Sequence, residues 1–354
     1  MTTEEAVIYL TSCAVNEEIP DKELIVDIDP EEVLKFAKRH RISCCVAIAL
    51  ESAGIKTKET AKAIAHAMRR NAIFEKSLEE VTARLDEAGI WYVLLKGIVL
   101  KKYYPKPFMR EMVDHDILID PSRAEDVKKI MEDLGFTTIL FDKRYHDEYR
   151  KEPVLNYEMH TSLFVQQTGS KTYEYYRGRR DFSQLEDIYL YLVAHEHKHY
   201  YKHGTGLRSL LDIYLYLKNE TIDWDYVEKE AVKLGISEFE RNNRQLAVSL
   251  FGGKKLANEQ MLSYMLSSGA GGSLTNLVAN RMDKYGGSRM IYILKRFKVP
   301  VRSSDSNYQV FARLYPEFYK NKMLLPLLPF YRILRAVMTG RFEGEWKALW
   351  HHRK

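Results

Sequence analysis

The stretch VDHDILID, residues 113–120, decides how the chain is read. Its residues alternate with period two. A strand there sends Asp114 and Asp116 to one face and Val113, Ile117 and Ile119 to the other. The apolar face, with Leu118 beside it, predicts a strand anchored in a core rather than a solvated loop. Two aspartates on one face repel each other, and a divalent cation is the usual compensation. A lone D-x-D is more often a surface pair, so its surroundings have to decide.

Upstream lies LLKGIVLKKYYPKPFMREM, residues 94–112. The apolar run IWYVLL (90–95) predicts a strand, punctuated by Lys96-Gly97, and IVLKKYY predicts a helix turn or two. A glycine at a helix N-terminus lets backbone N–H groups approach phosphate. Lys96 and Arg110 are cations able to neutralise a triphosphate, arginine bidentately. Downstream, PSRAEDVKKIMEDLGF predicts a helix from Pro121 to Gly135, followed by strands at TTILF (137–141) and VLNYEMH (154–160). In the last of these Asn156, Glu158 and His160 share a face, so pairing beside the first strand would bring Glu158 to the aspartates and His160 close to them. Three carboxylates on adjacent strands can hold two Mg²⁺ (or Mn²⁺) ions about 3.5–4 Å apart, the arrangement used for phosphoryl and nucleotidyl transfer.

This α+β unit sits between helical regions. Residues 1–90 read as helical: DPEEVLKFAKRHRISCCVAIALESAG opens on Asp-Pro and ends near Gly54, and a second helix runs from a Thr57 cap to Gly89. From residue 183 helical texture returns almost to the end. The chain has 354 residues and a net charge of +5, which permits an anionic substrate without marking a nucleic-acid binder. Three cysteines, Cys13, Cys44 and Cys45, build no disulfide framework. The start is acidic and lacks the basic region of a signal peptide, and no apolar run reaches membrane-spanning length, so a cytoplasmic protein is expected. MLLPLLPFYRILRAVM (323–338) is read as a core or interface segment, with membrane-surface contact as its other reading.

A second motif competes. HEHKH (195–199) matches H-E-x-x-H, in which His195 and His199 would bind zinc and Glu196 activate water. The extended form fails, because position 202 is Lys and the glycine comes at 204. Leu185, Ile188, Leu192, His195 and His199 form one helical stripe, so the histidines can equally wall a cleft with Lys198, Arg208 and Asp212, or simply pack. Arg208 and Asp212, four apart, can also pair with each other.

The order K-G, Y-P, R, D-x-D-x-L and then an E-x-H strand resembles the uncharacterised nucleotidyltransferase family of the polymerase-beta-like nucleotidyltransferase superfamily, over roughly residues 25–300. Ile98 follows Lys96-Gly97 where the wider superfamily often has Ser. The resemblance implies an α+β fold: a small mixed-sheet palm at 89–165, flanked by helical regions at 1–88 and 180–354. It implies Mg²⁺-dependent (or Mn²⁺-dependent) transfer of a nucleoside monophosphate from an NTP to an acceptor hydroxyl or phosphate. Asp114 and Asp116 would be metal ligands and Glu158 the third carboxylate. Lys96, Gly97, Arg110, His160, His195, Lys198, His199, Arg208 and Asp212 would form the nucleotide side. The acceptor stays open among a small molecule, a peptide, a protein and RNA. The rival readings are a zinc metallopeptidase on the HEHKH helix and a non-catalytic helical binding protein.

Overall fold

Five short strands form one mixed sheet: β1 (Tyr92–Leu94), β2 (His115–Ile119), β3 (Thr137–Leu140), β4 (His146–Lys151) and β5 (Leu155–His160), in the order β1-β2-β5-β4-β3. β2 and β5 run parallel; every other neighbouring pair is antiparallel. The computed structural model describes residues 1–351 apart from 167–168, 285 and 306, so the last three residues of the C-terminal helical region read from the sequence lie outside the described residues. About 63% of the chain is helical, which leaves the sheet as a small unit among helices, the α+β class expected.

The alternation in β2 and β5 gives the sheet two unlike faces. Ile117, Ile119, Tyr157 and Met159 point into a core closed by the helices Lys58–Glu87 and Ala124–Asp133, through Phe74, Val81, Leu85, Val127 and Met131. Ser77 Oγ and the Tyr157 hydroxyl meet at 3.0 Å inside it. The opposite face carries Asp116, Glu158 and His160 and looks into a cleft. Helix Lys58–Glu87 starts at Thr57, whose hydroxyl accepts from the Thr60 N–H at 3.1 Å. Its 30 residues span about 45 Å. That length lets it join two cores, with Ala67 packed among the N-terminal helices and Phe74 onward against the sheet.

Three sequence expectations are corrected. β2 begins at His115, not at Val113. Arg70 takes the carbonyls before it, Nε reaching Met112 O at 2.6 Å and Nη2 reaching Val113 O at 3.2 Å, so these groups are satisfied by a side chain instead of a neighbouring strand. The helical run read from Asp29 to Gly54 is two helices, Pro30–Arg39 and Ser43–Ser52, broken at Arg41, which adopts φ +58°. In segment 323–338, Leu325, Leu328 and Pro329 are buried, whereas Met323 is 87% exposed and Phe330 63%, so its reading as core is corrected, while that as an interface segment is untouched. β4 escapes the sequence altogether. HDEYRK is almost wholly polar, and it forms a strand because Tyr149, fully buried, is seated opposite Tyr157 of β5.

No helix among the described residues is long and apolar enough to cross a membrane. All three cysteines are buried and unbridged.

Candidate active site

The parallel register of β2 and β5 sets Asp116 beside Glu158 and Leu118 beside His160. Ligand atoms of Asp116, Glu158 and His160 all lie within 4.8 Å of one another, the one such group of acidic, His or Cys side chains among the described residues. β4 extends the row, with Glu148 opposite Glu158 and His146 opposite His160. Glu148 is neutralised by Arg150 at 2.5 Å. Neither Glu148 nor His146 was expected. Their only sequence signal is the alternation of His146, Glu148 and Arg150 in a stretch with a single apolar anchor.

Asp116 Oδ1 is the hub. It receives Lys96 Nζ at 2.5 Å and lies 2.8 Å from His160 Nε2. Burial would raise its pKa, but the Lys96 ammonium and the His160 contact outweigh burial and hold the carboxyl well below the usual range. Glu158 moves the other way, pushed up to about 7 by burial and by the charge of Asp116, against Lys96. Asp114, just before β2, is also raised by burial and by Asp116, opposed by Lys96, Arg208 and Arg110. Lys96 adopts φ +48°, ψ −115°, a sparsely populated conformation for a residue with a Cβ. The turn between β1 and the four-residue helix Gly97–Leu100 holds it there, because the Leu95 N–H donates to Asp116 O at 3.0 Å.

Arg110 and Gly97 are coupled in an unforeseen way. The Arg110 guanidinium grips Asp212 with both oxygens engaged, Nε to Oδ1 at 2.9 Å and Nη2 to Oδ2 at 2.8 Å. A Cβ on Gly97 would stand 2.2 Å from Arg110 Nη1 and 2.6 Å from Met112 Sδ. Glycine is needed here so that a buried arginine can pass close to the backbone. Asp212 also accepts from the Tyr104 hydroxyl at 2.7 Å, while Arg208 donates to the Glu111 carbonyl at 3.0 Å. Both partners of the Arg208–Asp212 pair are thus engaged elsewhere.

The opposite wall is the helix Leu185–His203. Three histidines form a chain along it: His195 Nε2 is 3.1 Å from His199 Nε2, His199 Nδ1 is 3.0 Å from His203 Nε2, and His203 Nδ1 is 3.0 Å from the Gly204 carbonyl. A carbonyl only accepts, so His203 Nδ1 carries a proton, and each ring then donates to the next in one direction. Burial, then nearby ammonium groups, keeps His195 and His199 neutral, His199 down to about 2. Glu196 accepts from Asn243 Nδ2 at 2.7 Å and is 5% exposed, held in the helical packing. The third ligand that a zinc centre on His195 and His199 needs is absent from this wall among the described residues, where the acid–imidazole group belongs to the sheet. Lys198 packs over the rings of Tyr145 and Phe164, and burial followed by Lys96 and Lys202 lowers it to about 7.

Between sheet and wall lies a cleft of about 1030 Å³. It is lined by Lys96, Gly97, Arg110, Asp114, Asp116, Glu158, His195, His199, Arg208 and Asp212. His160 and Lys198 stand behind that lining. Six further cations line it, Arg41, Lys143, Arg144, Lys202, Arg281 and Arg313, from loops and from helices far along the chain. No spacing in the sequence links them. An acidic floor under cationic walls suits a divalent cation carrying an anionic ligand. Two carboxylates and an imidazole at this spacing form a donor set that fits such a cation, and Lys96 Nζ already lies against one of the carboxylates.

The model of the family described as uncharacterised nucleotidyltransferase matches residues 27–252. That span holds the sheet and both helices facing it, and stops short of the C-terminal helices that the sequence resemblance had included. No curated protein and no solved structure matches the chain. With the family model covering well over half of its length, the chain belongs to the uncharacterised nucleotidyltransferase family.

Proposed function

We propose that the protein transfers a nucleoside monophosphate from an Mg²⁺-bound NTP to an acceptor hydroxyl or phosphate. The observation that carries this reading is the parallel pairing that sets Asp116 beside Glu158 at the floor of a cation-walled cleft. Asp116 and Glu158, with His160 behind and Asp114 at the rim, would hold Mg²⁺ or Mn²⁺. Such an ion neutralises charge on the attacking and leaving oxygens.

The remaining work belongs to the chain. Lys96, Arg208 and the wall cations Lys202 and Arg144 bind and orient the triphosphate. Arg110, locked to Asp212, contributes a fixed positive field and holds the Lys96-Gly97 turn in shape. Glu158 serves in one of two ways, as a further ligand to that ion or as the base that takes the proton from an acceptor hydroxyl. The acceptor attacks the α-phosphorus, its bond to phosphorus forms as that to the bridging oxygen breaks, and pyrophosphate leaves.

The test uses the full chain with each of ATP, GTP, CTP and UTP in Mg²⁺, read by thermal melting and by pyrophosphate release. One or more nucleotides should raise the melting temperature only with Mg²⁺ present. Asp116→Asn and Glu158→Gln should each cut turnover about a hundredfold or more. Unchanged nucleotide stabilisation in the double variant would sink the assignment. So would stoichiometric zinc that is lost in His199→Ala, which belongs to a peptidase.

A further inference from the structure

Beyond the family match, helix Glu259–Ser268 still packs into the main core through Met261, Leu262 and Met265, but the helices from Leu274 onward bury little, around the small cluster Val278, Met282, Tyr292, Ala348 and Leu349. Helix Leu328–Met338 turns Leu328 and Pro329 inward and leaves an outward stripe at helical spacing, with Leu327 56% exposed, Phe330 63%, Leu334 58% and Met338 79%. Helix Arg289–Phe297 does the same with Met290 and Leu294, 72% and 62% exposed. Phe297 and Phe330 meet at 6.0 Å between ring centroids, which joins the two stripes into one patch. Helix Arg341–His351 adds an exposed aromatic row, Phe342, Trp346 and Trp350, with successive rings 5.9 and 5.7 Å apart. An apolar surface of this extent marks an interaction site.

Charge selects its occupant. Residues 289–350 carry 12 Lys and Arg against 4 Asp and Glu, while residues 1–288 carry 40 against 45. Two stretches, 284–304 and 318–342, contain no acidic residue at all, and these are the stretches that present the apolar stripes. A second copy of the same face would oppose like charge, so self-association is disfavoured. An amphipathic helix with Leu and Phe outward, Lys and Arg at its flanks and tryptophan nearby has the make-up of an element lying in a lipid headgroup layer. We infer that this C-terminal face docks on an anionic bilayer surface, with Leu327, Phe330 and Leu334 entering the interface and Lys322 and Arg335 near anionic headgroups. Docking of this kind is peripheral, and Leu327, Phe330, Leu334, Lys322 and Arg335 all lie outside the lining of the nucleotide cleft, which takes only Arg313 and its neighbours from this region.

The experiment is sedimentation of the full chain with vesicles of phosphatidylcholine containing about one-third phosphatidylglycerol, beside vesicles of phosphatidylcholine alone. The wild type should pellet with the anionic vesicles, and far less with the neutral ones or in high salt. Phe330→Glu with Leu334→Glu, and separately Lys322→Glu with Arg335→Glu, should each weaken binding about tenfold or more while Mg²⁺-dependent nucleotide stabilisation is unchanged. Brominated lipid should quench part of the wild-type tryptophan emission, a readout that needs no variant. The inference is overturned if the wild type stays in the supernatant, if neutral and anionic vesicles bind it equally, or if both double variants bind as the wild type does. It is equally overturned if, without vesicle binding, the chain elutes as a dimer that Phe330→Glu with Leu334→Glu dissociates, or if it captures polyglutamate in place of lipid.

Discussion

Gly97 and Arg110 show how much a single position can carry. From the sequence, the glycine belongs beside phosphate and the arginine on the triphosphate. The structure ties the guanidinium to Asp212 and brings it to 2.2 Å from where a Gly97 Cβ would stand. Gly97→Ala is therefore expected to lower unfolding free energy by about 1–3 kcal/mol, through overpacking against Arg110 and Met112. Asp212→Asn leaves a buried arginine short of its counter-charge, with side-chain exposures of 7% and 10% for the pair. Its expected cost is larger, about 3–5 kcal/mol. Urea denaturation measures both, and equal, negligible losses would contradict the packing argument. Asp212 lies 102 positions from Arg110, so nothing local in the sequence hints at the pair.

At the scale of elements, legibility follows how local the cause is. Thr57 was readable as a cap because its partner is three residues away, and the bond to the Thr60 N–H is made at 3.1 Å. Thr57→Ala should cost about 1 kcal/mol in a chemical melt, since one of the first helical N–H groups loses its acceptor. β2 and β5 were readable because their alternation is written in adjacent residues. β4 was not, since HDEYRK is a strand only by virtue of its hairpin with β5 and the burial of Tyr149. The helix break at Arg41 was missed for a similar reason. The helical pattern continues through it, and the left-handed residue separates two helices that pack on each other.

Across the whole molecule, His40 ties the N-terminal helices to the cleft wall, accepting the Leu207 N–H on Nδ1 at 3.2 Å. Burial, then the charge of Arg39, lowers its pKa to about 4. Unfolded, it titrates near 6.5. As pH falls below about 6.5, the unfolded chain gains a proton that the folded chain refuses, so stability drops until about pH 4 and then levels. His40 alone contributes a loss of about 3 kcal/mol over that window. Denaturant melts from pH 7 down to pH 4 should show the decline, to which the buried neutral His115, His146, His195 and His199 also contribute, and His40→Gln should make it shallower by the His40 share. A slope unchanged in that variant would mean that other groups set the acid limit.

Adjacent residues suffice for the alternation that turns Asp116 to one face of β2 and Glu158 and His160 to one face of β5. They suffice as well for the helix start at Thr57 and the α+β class. Such features depend on neighbours within a few residues, where side-chain period and backbone satisfaction act directly. Long-range packing sets β5 parallel beside β2, brings Lys96 to Asp116 and gives Arg110 to Asp212. It likewise gathers Arg41, Lys202 and Arg313 into one cleft and turns the C-terminal stripes outward. Partner choice at long range is set by which apolar faces can be buried together, and the polar groups of the site come to rest where those two cores leave an open face between them.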